Sequence, residues 1–388
     1  MSHALLLRTR RLFPVASAPV DDAAVVVEKD TIAFAGPWHA LPLHYRTAPV
    51  VDLGDASLLP GLVNAHAHLE HSALKGLTTP KLPFTAWVKE VIRERAALSV
   101  GDLRAGARHG SDDLVRGGTT TLADHIHPET PTLETPLRRV SFWEVLGAHE
   151  GRARESMEKA RRRVGEEGGS VSPHSLYAVH EEIVEEILHD DQGLRSIHLL
   201  ESAEEDLFFR RQEGPLAVYV QERGGDLSFP VSSPIQWLAA NRGLGARTLL
   251  VHGNYLNSSE IAVLRGSGAF VIHCPGSHRF FGHKPFPLED LRKAGVPVAL
   301  GTDSLASNEA LSMLREMRLL REAFPSLAED EILRMATLGG AAALGLEKEI
   351  GSVEAGKKAD LIAVRGPVLE TESVVFSMVG GKTLLNHV

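Results

Sequence analysis

Between residues 58 and 303, apolar strand-like segments alternate with helical ones, and nearly every strand-like segment ends in His, Asp or Glu. The segments are LLPGLVNAHAH, TTTLADHIH, VSFWEVLG, GGSVSPHSLY, RSIHLLES, RTLLVHGNY, AFVIHCPGS and PVALGTDS. Alternation of this kind predicts an α/β chain built of β/α units around a parallel sheet. Eight such units predict a (β/α)8 TIM-like barrel, a fold of about 250 residues before insertions. In a barrel the C-terminal strand ends share one mouth, where the active site lies. His66, His68, Asp124, His174, His198, Glu201, His252, His273 and Asp303 are therefore expected to converge.

The two ends of the chain read differently. Residues 1–57 and 347–388 carry short β-like runs separated by turn residues, without helical period. They predict a small β-sandwich domain formed by both termini, beside a barrel spanning 58–346. The opening MSHALLLRTRRLF places its basic cluster after its few apolar residues, the wrong order for a secretory signal. It reads as a first strand. The charged stretch EGRARESMEKARRRVGEE alternates sign at helical spacing and reads as a solvated outer helix.

Composition narrows the chemistry. A net charge of −9 argues against nucleic acid or an anionic membrane as the main partner. No apolar run is long enough to span a bilayer. Cys274 is the one cysteine, so intrachain disulfides and a cysteine-built zinc site are excluded, and a cytoplasmic location fits best. The 19 histidines invite a metal, but they also make chance His-x-His pairs common.

Two such pairs occur, His66/His68 and His125/His127. Residues two apart on a strand share a face, and zinc accepts imidazole nitrogen and carboxylate oxygen while catalytic sites keep a position open. His66 and His68 follow the apolar PGLVN at the first strand end. His198 in IHLLES adds a third imidazole. Glu201, three residues on, stands where the chain leaves the strand. His252 in LLVHGNY reads either as a ligand or as a hydrogen-bonding partner of the attacking water. Asp303 in VALGTDS is a carboxylate after an apolar run, costly to bury unless paired or metal-bound. A divalent metal lowers the pKa of water from 15.7 to roughly 7. Asp303 can then take a proton, Glu201 can shuttle one to the leaving group, and His252 can steady developing charge. This is hydrolysis at an sp² carbon.

The motifs PGLVNAHAH, HLLES, VHGNYL, GTDSLASN and the terminal GSVEAGKKADLIAV together resemble the amidohydrolase superfamily, in its branch of nucleoside and nucleobase deaminases and chlorohydrolases. The resemblance covers essentially the whole chain. It implies metal ligation by His66, His68, His198 and Asp303, a proton-shuttling Glu201, and His252 beside the attacking water. Binuclear relatives carry a carboxylated lysine on strand four. The corresponding GGSVSPHSLYAVH has none, which implies one divalent ion, zinc first and iron second. Asp124, His125 and His127 are expected to support or shape the pocket without binding metal.

For the substrate, the resemblance implies that His174 contacts the purine or ribose. Trp87 either lines the pocket or packs on the barrel. The stretch HCPGSHRFFGHKPF resembles that of aminodeoxyfutalosine deaminases, whose substrate joins an adenine nucleoside to a benzoate. Ser277, His278 and Arg279 are the substrate contacts this implies, with Arg279 or His278 on the carboxylate and the phenylalanines against the aryl ring. The alternatives are deamination of adenosylhomocysteine, methylthioadenosine or guanine, triazine-type dechlorination, and a catalytically inactive scaffold, which the five filled positions disfavour. The partner is a small-molecule nucleoside. Oligomeric state is open, with a homodimer as one candidate.

Overall fold

The computed structural model describes residues 4–131, 133–190, 193–225 and 233–388. Two runs of parallel strands follow one another. The first contains β6 (Leu62–Ala67), β7 (Thr119–Ile126), β8 (Arg138–Val145) and β9 (Ser170–Pro173), and the second β10 (Arg195–Leu199), β11 (Thr248–His252), β12 (Phe270–His273) and β13 (Val298–Leu300). Each run pairs in chain order, with helices in most of the connections. β6, β7, β10 and β11 are buried along their whole length, as strands covered on both faces must be. This is the mixed α/β, TIM-barrel-type arrangement that the alternation predicts.

The two runs meet at both ends through single parallel bridges, Ala67 to Asp303 and Ser175 to His198. Backbone hydrogen bonds reinforce these seams. The His66 carbonyl accepts from Thr302 N (3.0 Å) and Asp303 N (3.1 Å), and the His174 carbonyl accepts from His198 N (2.9 Å). The residues singled out by their chemistry therefore sit where the runs join. Asn64 adds a side-chain tie, donating to Thr302 Oγ1 at 2.8 Å and accepting from Thr302 N at 3.1 Å.

The chain ends pair into a separate eight-stranded sheet. Its strands are β1 (Ala4–Leu12), β2 (Val20–Glu28), β3 (Thr31–Pro37), β4 (Val50–Asp52), β5 (Ser57–Pro60), β14 (Leu361–Val364), β15 (Phe376–Val379) and β16 (Lys382–Asn386). The order is β16-β15-β14-β5-β1-β2-β3, with β4 also beside β1. The strands of both termini form one continuously hydrogen-bonded path, because β1 bridges the N-terminal strands to β5, and β5 bridges them to β14. Alternation sorts its side chains: Leu361 and Ala363 pack within the terminal sheet's own core, while Ile362 and Val364 join the large core of the α/β part. Arg138, at the start of β8, pairs with buried Asp360 at 3.1 Å and ties the two parts together. No described helix is long and apolar enough to cross a membrane.

Gly301 carries a tight steric constraint near the mouth, set by the backbone and Cβ of His66. A Cβ there would lie 2.8 Å from the Cβ and carbonyl oxygen of His66. Neither neighbour can swing away, so Gly301→Ala is expected to destabilise by about 1–3 kcal/mol. Urea unfolding would measure this, and an unchanged midpoint would show that the seam can yield.

Candidate active site

His66 and His68 leave β6 on the same face, as the His-x-His spacing requires, and both are buried. His198, on β10, completes a group of three imidazoles whose nitrogens lie within 4.8 Å of one another. His198 Nδ1–H donates to the His174 carbonyl at 2.8 Å, so Nε2 carries the lone pair. That lone pair faces His68 Nε2 at 3.1 Å. Both ring nitrogens of His66 are buried and without a hydrogen-bond partner among the described residues. Burial pushes the His66 ring down from its ordinary pKa, against the pull of Asp303, and pushes His198 far down, helped by His174. Neutral imidazoles with inward lone pairs are the form that binds metal.

Asp303 faces this group. Ser277 Oγ and Ser307 Oγ each donate to its Oδ2 at 2.7 Å. This leaves Oδ1 toward His66 Nε2 (3.7 Å) and His68 Nε2 (4.0 Å). Burial raises the carboxyl pKa, but the close approach of His66 and the nearby His252 and His68 outweigh it and hold Asp303 well below the usual range. Glu201, His252 and Asp303 form a second convergent group, with His252 Nε2 3.7 Å from Glu201 Oε1. Glu201 behaves oppositely to Asp303: burial, then the charges of Asp303 and Glu205, push its carboxyl far up. Burial lowers His252 to about 3. Two carboxyls thus stand side by side with their affinities for a proton driven apart, the arrangement of an acid and a base.

The backbone at these positions is unusual. Leu200, His252 and Asp303 all have left-handed φ, at 50°, 70° and 58°. Such conformations cost energy in non-glycine residues and cluster at functional sites. Here they turn the chain sharply at the ends of β10, β11 and β13. Glu205 holds the first turn by accepting from Leu200 N (2.9 Å) and Glu201 N (2.7 Å).

Above this floor opens a cavity of about 420 Å³. His174 and Trp87 line it, as do Phe84, Tyr177 and Tyr219. Trp87 is anchored by its Nε1–H to the Ala306 carbonyl at 3.1 Å and backed edge-on by Phe281 at 4.9 Å. The structure redirects the other predicted contacts. Ser277 is buried against Asp303 and acts through that carboxylate. His278 and Arg279 line a separate cavity, because helix Pro275–Phe281 turns them away. Arg279 pairs with Glu322 at 3.0 Å, and His278 Nε2 meets the Lys284 carbonyl at 2.8 Å. His273 also faces that second cavity, stacked on Phe286 at 3.9 Å. Asp124 accepts from Leu69 N at 3.1 Å and does not reach the cavity. His125 stacks on Phe142, whereas His127 lines the cavity.

Glu144 went unpredicted, although a lone carboxylate among Phe142, Trp143 and Val145 was a visible signal. It is buried, accepts from His174 Nδ1 at 2.8 Å and lies 3.7 Å from His68 Nδ1 and from His198 Nδ1. Burial opposes its charge, but His174, His68 and His198 hold its pKa far down.

Residues 57–384 match the amidohydrolase family model. The chain belongs to the amidohydrolase family. Over 382 residues it is 30% identical to a 5-methylthioadenosine/S-adenosylhomocysteine deaminase of Moorella thermoacetica, covering 93% of this chain and 85% of that protein. It superposes on a zinc-bound adenosine deaminase from Xanthomonas campestris with TM-score 0.82, 25% identity, and coverage of 99% and 93%. The aminofutalosine deaminase of Helicobacter pylori shares the fold at TM-score 0.86 and 24% identity, covering 98% of this chain and 100% of that one. The amidohydrolase is a hydrolytic enzyme of the deaminase kind.

Carboxylates that orient metal-binding histidines usually raise metal affinity 10- to 100-fold. Glu144→Ala is expected to weaken divalent-metal binding by roughly that factor while the far-UV circular dichroism stays unchanged. Competition against a chelator measures this, and unaltered affinity would remove Glu144 from the support of the site.

Proposed function

We propose that this amidohydrolase hydrolytically deaminates an adenine nucleoside extended at its 5′ position, with 6-aminodeoxyfutalosine as the first substrate. The observation that carries the reaction is the meeting of Glu201, His252 and Asp303 with three buried imidazoles at the floor of an aromatic-lined cavity. His66, His68, His198 and Asp303 would hold one divalent ion, zinc first and iron second. The fit is supported by His66, whose ring nitrogens are buried without a partner, and by the close facing nitrogens of His68 and His198. When bound, the ion supplies Lewis acidity that makes water nucleophilic near neutral pH.

The side chains then divide the work. Asp303, held ionised, accepts the proton of the attacking water on its Oδ1. Glu201, held protonated by burial, donates to the purine ring nitrogen beside the carbon under attack, and a proton then passes to the departing ammonia. His252, neutral, orients the water and steadies the charge that develops. His174 presents its free Nε2 to the nucleoside, and Trp87 offers an aromatic face to the base or its substituent.

A second reading is deamination of methylthioadenosine or adenosylhomocysteine, the substrates in the names of the curated relatives. We treat residues 1–57 and 347–388 as a domain of their own and place the enzyme in the cytoplasm.

Ammonia release should be measured on aminodeoxyfutalosine, adenosylhomocysteine, methylthioadenosine, adenosine and guanine. Greater efficiency on any of the others would overturn the first-choice substrate, and turnover of none would overturn the function. Glu201→Gln should keep its metal and lose roughly 10²–10⁴-fold in kcat. Near-normal turnover would remove Glu201 as the shuttle. Because burial raises the pKa of Glu201, its proton is lost as pH rises, and kcat should fall on the alkaline side of its profile. A kcat that stays level or rises with increasing pH on the alkaline side would contradict this assignment.

A further inference from the structure

Helix Phe84–Ala97 lays one face along the catalytic cavity, through Trp87, Val88, Val91 and Arg95. Three of these are apolar or aromatic. Arg95, eight residues or about 12 Å beyond Trp87 at 1.5 Å per residue, is the one Lys or Arg among the described residues lining the cavity. One edge of its guanidinium is anchored. Nη2 donates to Thr130 Oγ1 at 2.9 Å and to Glu70 Oε2 at 3.3 Å. Glu70 is itself buried and accepts from the Thr130 hydroxyl and from His127 N at 3.3 Å, so its charge is shared among several donors. Nε and Nη1 of Arg95 have no hydrogen-bond partner among the described residues. A guanidinium held at Nη2 keeps its orientation and leaves Nε–H and Nη1–H as single charge-assisted donors to an anion.

We infer that Arg95 is the specificity-determining contact for a carboxylate at the far end of the substrate's 5′ substituent. This inference rests on the proposed nucleoside deaminase reading. The substituent would run from the metal-binding floor along the apolar face of Trp87, Val88 and Val91 and end at an unengaged donor of Arg95, Nε–H or Nη1–H. The subsite selects nucleosides whose apolar tail ends in a carboxylate over those whose tail ends in an uncharged group. It also relocates anion recognition from Arg279, whose guanidinium pairs with Glu322 outside this cavity.

The test compares aminodeoxyfutalosine, which ends in a carboxylate, with methylthioadenosine, which does not, on wild type, Arg95→Met and Arg95→Lys. Arg95→Met should lose roughly 10- to 100-fold in kcat/KM on the carboxylated substrate, mostly through KM, as expected for one charge-assisted contact. It should lose less than about 3-fold on methylthioadenosine. Arg95→Lys should fall between. The ratio of the two substrates on one preparation is independent of the fraction folded. An equal loss on both substrates would make Arg95 a structural tie between the helix and the Thr130 segment, and no loss on the carboxylated one would remove it from recognition. Either result overturns the inference. If wild type turns over neither substrate, calorimetry with benzoate judges the subsite alone: binding abolished by Arg95→Met supports it, and identical or absent binding in both proteins overturns it.

Discussion

Everything at the mouth depends on burying the ionised carboxylate of Asp303. An isolated charge in a protein interior is prohibitively costly, so its surroundings must compensate. Two serine hydroxyls take one oxygen, His66 and His68 approach the other, and the Asp303 backbone N–H is bound by the His66 carbonyl. These contacts also join the first strand of one parallel run to the end of the last strand of the other. Site assembly and sheet assembly are thus one event. The left-handed backbone of Asp303 and the absence of a side chain at Gly301 are the local concessions that let these strands approach.

A division of labour follows from this geometry. The floor is built from strand ends, which rigid parallel pairing holds in place, and it sets the proton affinities on which hydrolysis depends. Glu201 and Asp303 are chemically alike and share the floor, yet burial without donors keeps one protonated while serines and imidazoles keep the other ionised. The walls come from loops and from helix Phe84–Ala97. This is why the reaction class is evident, while for the choice of substrate we propose wall residues such as Arg95 and Trp87.

The strand-end residues were legible in the sequence because their signal is local. An apolar run that stops at His or Asp states both the strand and its polar terminus, and the order of His66, His68, His198, Glu201, His252 and Asp303 needs no long-range information. The wall was less legible. Ser277, His278 and Arg279 are consecutive, yet the helix they occupy sends Ser277 inward to Asp303 and the other two to another cavity. Glu144 was visible as a misfit in an apolar strand, but its meaning required His174, His68 and His198 to arrive from other strands.

By itself, then, the sequence determined the alternation of strands and helices, the chemistry carried at the strand ends, and the β character of both termini. Each of these is set by side-chain periodicity over a few residues. Tertiary structure alone decided that the terminal strands form one sheet, that His273 and Arg279 face away from the catalytic cavity, and that Arg95 and Glu70 meet beside it. Those outcomes depend on which way a short helix or turn leaves its strand, a direction set by packing against distant segments and not by the residues that make the turn.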